Sequence, residues 1–225
     1  MSDTDSFIDE VTEEVRRDRL YGYLKRYGWI AALVILGVVG TAAFLEFRKG
    51  REAAKAQALG DAMIEALSQD EFADRAVSLA DVNAETPQGA AVLAFMTAGA
   101  QAEAGEDALA AETLQSVSTN QDVPLVYRQV ASFKALLLQP GSVDADTRRA
   151  GFEALAVPGV RLRLLAEEQL ALLDIEAGDT DAAVARFQSI LDDAEATSGL
   201  QRRAVQAMVA LGETPQLNNE SAHEQ

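Results

Sequence analysis

From Gly28 to Leu45 the chain reads GWIAALVILGVVGTAAFL, 18 residues without one charge. Wound as a helix this stretch is roughly 27 Å long, close to the thickness of a bilayer's hydrocarbon core. A buried core helix is the alternative, but apolarity all round at this length favours a membrane span. Tyr21, Tyr23, Tyr27 and Trp29 crowd its near end, and Phe44 and Phe47 mark the far one. Aromatic rings with one polar edge favour headgroup depth. Lys25 and Arg26 bound one side, and Arg48, Lys49 and Arg51 the other. A cleaved signal peptide is excluded by the 27 preceding residues, among them Asp3, Asp5, Asp9, Glu10, Glu13 and Glu14. Its short basic leader is missing, and Thr41-Ala42-Ala43 is a poor cleavage site. The run is expected to be an uncleaved transmembrane helix over 28–47.

The chain beyond this run is built for helices. Ala, Leu, Glu and Gln dominate most windows, and only 5 prolines and 15 glycines interrupt 225 residues. Those common residues lose little side-chain freedom in a helix. Clusters of β-branched residues between turn signals are missing, so the expected class is all-α. Residues 1–27 form an N-terminal tail whose apolar positions Phe7, Ile8, Val11, Val15 and Leu20 suggest a short amphipathic helix capped by Asp5 or Ser6.

Two later segments align without gaps, AGEDALAAETLQSV and AGDTDAAVARFQSI. Gly105, Ala110, Leu114 and Val117 match Gly178, Ala183, Phe187 and Ile190 at an offset of 73 residues, or two periods of 36 to 37. The intermediate phase holds Gly141, then Phe152 and Leu155. One period before Ala110 stand Ala73, Val77 and Ala80. Such a period marks a repeated helix hairpin. The glycine ends the first helix by taking a left-handed conformation, and an acidic residue opens the second, where the helix dipole favours it. A small residue five positions after the glycine lets the paired helices approach. A large one four positions later fills the gap to the next hairpin. The expected pairs are 50–68 with 70–81, 87–104 with 106–118, 124–139 with 145–156, and 160–177 with 179–194. A last helix near 197–211 is expected to cover the open end.

The segment LALLDIEAGDTDAAVARFQSIL, Leu170 to Leu191, resembles the core of a tetratricopeptide repeat, with its G-D-x-x-x-A-x-x-x-F run intact. Three positions depart from that pattern: Asp174 replaces a usual aromatic, Glu195 the usual terminal proline, and Arg148 the small residue of the third unit. In that family the first helix of each pair lines a concave surface. The resemblance thereby implies a partner-binding groove with Val92, Phe95, Leu165, Leu172 and Ile175 on its face and Arg128 and Glu168 beside them. The alternative is that these side chains merely pack neighbouring hairpins. The whole layout is also similar to the YfgM-like ancillary subunits of the bacterial Sec translocon: a short acidic tail, one anchor, then FRKGREAAKAQALGDAM leading into weak repeats. That resemblance implies a single-pass protein of the bacterial inner membrane. Residues 1–27 would be cytoplasmic, a tetratricopeptide-like solenoid over 48–212 periplasmic, and 213–225 a disordered tail. Its implied partners are Sec translocon subunits, periplasmic chaperones and exported chains.

Charge alone encodes orientation poorly, with five basic residues close before the span and four close after it. The formal net charge is −17, and 29 acidic against 14 basic residues after the apolar run carry nearly all of it. An acidic domain repels phosphate backbones, so no nucleic-acid partner is expected. There is no cysteine, and the single histidine is His223 in the polar terminus ETPQLNNESAHEQ. A nucleophile–base pair or transition-metal site therefore lacks material. Adjacent carboxylates such as Glu106-Asp107, Glu167-Glu168 and Asp192-Asp193 diverge on a helix and do not form an acid–base pair. No enzyme activity, metal, cofactor or small-molecule substrate is expected. The function expected is that of a translocon-associated accessory factor. Its rivals are a membrane-tethered scaffold for an unrelated complex and, from another class, an enzyme.

Overall fold

A computed structural model describes residues 3–139 and 143–216, with side chains from residue 25 onward except at 27, 28, 31 and 32. Among the described residues there are nine helices and no strand. They are α1 (Asp3–Leu67), α2 (Phe72–Ala80), α3 (Pro87–Glu103), α4 (Asp107–Thr119), α5 (Leu125–Leu137), α6 (Ala145–Glu153), α7 (Arg163–Glu176), α8 (Thr180–Asp192) and α9 (Ser198–Ala210). The chain divides into two compact units, Met1–Ala58 and Leu59–Gln225.

In the first unit the apolar side chains stand in the open. Ile35, Leu36, Val38 and Val39 of α1 are each more than half exposed, and so are Phe44 and Phe47. Among the described residues no helix is long and apolar enough to cross a membrane. The expected span over 28–47 is therefore not found there. Its uninterrupted run of described side chains goes from Leu33 to Phe47, fifteen residues, or about 22 Å of helix, short of a core about 30 Å thick. Gly28, Ala31 and Ala32 lie outside the described side chains, as do Phe7, Ile8, Val11, Val15 and Leu20. Gly141 and residues 217–225, with His223, lie outside the described residues altogether.

The second unit is a stack in which each helix from α2 to α9 packs chiefly on its neighbours in sequence. Glycines stop its helices as the repeat pattern requires. Gly105 and Gly178 have φ of +81° and +80°. Past each one the chain turns back, Glu106 N–H donating to the Gln101 carbonyl at 2.8 Å and Asp179 N–H to the Asp174 carbonyl at 2.9 Å. This paired closure satisfies carbonyls that the helix end leaves open. Starts are fixed by side-chain caps: Thr86, Asp144, Asp179 and Thr197 accept N–H bonds from Gly89, Thr147, Ala182 and Leu200.

The repeated positions form the core. Ala110, Leu114 and Val117 of α4 are at most 5% exposed, and Ala183, Phe187 and Ile190 of α8 at most 1%. Alanines let α3, α4 and α5 close on Leu114, and α9 covers Phe187 and Ile190 with Leu200, Ala204 and Met208. Of the third phase, Phe152 and Leu155 are buried against Leu170 and Leu173 of α7, although α6 ends at Glu153, before Leu155. The first phase does not. Val77 is 64% exposed, and Ala73 and Ala80 are exposed too, while Ala76 and Leu79 are buried. The register of α2 is therefore one residue earlier than the period suggests. Burying Leu79 on Met63, Leu93 and Ala100 removes more apolar area than Ala80 offers. The Arg75 guanidinium reaches back to the Gln69 and Asp70 carbonyls and ties down the loop that starts α2.

Candidate functional site

Four carboxylates stand on α7, namely Glu167, Glu168, Asp174 and Glu176, and each meets an arginine of another helix. Asp174 is the most buried, with 6% of its side chain exposed. One of its oxygens lies 2.7 Å from Arg149 of α6 and the other 2.8 Å from Arg186 of α8. Arg186 also reaches Glu167 at 2.7 Å. Arg203 of α9 grips Glu168 through both carboxylate oxygens, at 2.6 and 2.7 Å. Arg148 of α6 bonds Glu176 at 2.5 Å. Beyond α8, Arg163 bridges Asp193 at 2.8 Å and Glu195 at 2.9 Å. The Asp193 carboxyl is held below its usual pKa, first by the Arg163 guanidinium and next by the Glu195 amide.

The three departures from the repeat pattern are all members of this seam. Asp174 occupies an aromatic's place because it joins α6 to α8. Arg148 occupies a small residue's place and is 8% exposed, its charge matched by Glu176. Glu195 occupies a proline's place and supplies a second partner to Arg163. Sequence reasoning flagged the three positions and missed their partners Arg149 and Arg186 for Asp174, Glu176 for Arg148 and Arg163 for Glu195. The signal available was the coincidence itself: an acid at an apolar position of one helix, with arginines on both helices beside it.

The positions proposed for a groove divide into two kinds. Phe95 is half-buried against the cluster around Leu114, its ring 6.4 Å from that of Tyr127. Leu165 and Ile175 pack on the cluster around Phe187, and Glu168 is taken up by Arg203. Val92 on α3 and Leu172 on α7 remain open, at 40% and 39% exposure. The Nε of Arg128, in the first turn of α5, is buried without a hydrogen-bond partner. An open depression of about 300 Å³ lies between α7 and α8, lined among others by Arg163, Leu164, Glu167, Arg186, Ile190 and Asp193. Its charged side chains pair within the protein, Arg163 with Asp193 and Arg186 with Glu167. No group of three or more metal-ligating side chains occurs among the described residues.

No protein-family model, curated protein or solved structure matches this chain.

Proposed function

We propose that this protein is a membrane-anchored, protein-binding accessory factor. In this reading residues 28–47 of α1 cross the bacterial inner membrane with the N-terminus cytoplasmic. The stack after it, a tetratricopeptide-like domain, works in the periplasm. Its partners are Sec translocon subunits, periplasmic chaperones and exported chains. The observation that carries the reading is the open apolar surface of α1 in the first unit, while the second unit is a separate helical stack with its own cores. Eleven large apolar side chains of residues 28–47 facing water would be very costly, whereas lipid accepts them. The one hydroxyl in the described stretch is satisfied internally, Thr41 donating to the Gly37 carbonyl at 2.8 Å, as a bilayer requires. Anchoring raises effective concentration at the membrane, so weak contacts to Val92 and Leu172 suffice for binding.

A membrane-tethered scaffold for an unrelated complex is the second reading, favoured by the ion-paired seam, which suits a rigid surface for one folded partner. Photo-crosslinkers placed at Val92 and Leu172 in cells separate the two. Adducts to translocon subunits, chaperones and varied exported chains are expected. One adduct to a single unrelated complex would replace the first reading with the second.

A further inference from the structure

Directly after the apolar stretch α1 carries four basic residues, Arg48, Lys49, Arg51 and Lys55, against Glu46 and Glu52. The remainder of the chain is strongly acidic, which makes this basic excess unusual. At 100° per residue, Phe44, Phe47, Arg48 and Arg51 fall on one helix face. The Arg51 guanidinium lies over the Phe47 ring, 4.6 Å from its centre. Arg48 approaches Glu52 only to 3.5 Å, and both side chains are more than 60% exposed. A pair so long and so wet leaves Arg48 open to a better anion. Rings at headgroup depth with cations one turn further out match the vertical order of a phospholipid leaflet, acyl boundary then phosphate.

We infer that Arg48, Lys49 and Arg51 form a collar that binds the headgroups of acidic phospholipids. This rests on the reading of α1 as the anchor. The collar offsets a repulsion, because the acidic part of the chain that follows would otherwise be pushed from an anionic surface.

The full chain, reconstituted in vesicles of phosphatidylcholine, tests the inference. Flotation with the vesicles after an alkaline wash reports insertion. Electron spin resonance then compares how much spin-labelled phosphatidylglycerol and phosphatidylcholine the inserted chain immobilises. A chain that washes off overturns the anchor reading, and the collar falls with it. For an inserted chain, about three- to fivefold more immobilised phosphatidylglycerol is expected, dropping to near parity in R48Q/K49Q/R51Q. Equal immobilisation of both lipids by the inserted wild type would overturn the collar alone. So would an excess that survives in the triple variant, or one abolished by millimolar inorganic phosphate, which would assign the cations to a free anion.

Discussion

Asp174 carries much of the weight in the carboxyl-terminal half. Taking a carboxylate out of water is costly, and only the two arginines at 2.7 and 2.8 Å offset that cost. Removing it leaves the half-buried Arg149 without its carboxylate and Arg186 with Glu167 alone. Asp174→Ala is therefore expected to destabilise the protein by about 3–5 kcal/mol in a denaturant titration. Adding Arg149→Met and Arg186→Met should restore part of that loss. A cost below about 1 kcal/mol would mean the seam is solvated and its geometry incidental. Asp193 gives a pH-dependent counterpart. Its folded pKa is depressed by Arg163 and the Glu195 amide. Its contribution is present above the unfolded value of about 3.9 and is lost as pH falls through the lower folded value. Thermal unfolding of wild type and Asp193→Asn should therefore converge below about pH 4, with wild type higher at neutral pH. A gap unchanged down to strongly acid pH would remove Asp193 from the seam.

At the scale of elements, the joints between helices decide how much the sequence discloses. The α3–α4 and α7–α8 hairpins were legible because glycine, small and large residues recur at fixed offsets, and each of those jobs is done by backbone geometry or volume. The α2 register was not legible. Ala73-Val77-Ala80 and Ala76-Leu79 are both apolar stripes, and only contact with Leu93 and Ala100 selects between them. The ion pairs were half legible: a charge at a core position is visible in one sequence, but its partner on another helix depends on packing. The pairing of α5 with α6 was legible, but its close approach at Gly151 was not, since that depends on an absent atom. A Cβ at Gly151 would come within 2.8 Å of both methyl carbons of Leu136. Overpacking of about 1–3 kcal/mol should outweigh the roughly 1 kcal/mol helix-propensity gain of Gly151→Ala. The same substitution on a Leu136→Ala background should become neutral or stabilising. If Gly151→Ala alone stabilises the protein in thermal unfolding, the joint is looser than its geometry suggests.

For the whole molecule, two kinds of surface set the account. The stack buries its repeated apolar positions in successive clusters and matches many of its charges internally, while single apolar side chains such as Val77, Val92, Leu125, Leu172 and Val209 stay open. The helix over Leu33–Leu45 hides nothing. The proposed anchorage would account for that contrast, and the proposed groove reading depends on it, because only a stack outside the cytoplasm would meet exported chains. The candidate groove was the least legible part of the sequence. Register places side chains on a helix face, but Phe95, Leu165 and Ile175 show that a first-helix position can serve the core. The most direct measurement is a pair of reporters fused after Gln225, one active only outside the cytoplasm and one active only inside. The account predicts activity of the outside reporter, with the fusion retained in the membrane fraction after an alkaline wash. Activity of the inside reporter, or a fusion released by the wash, would contradict it.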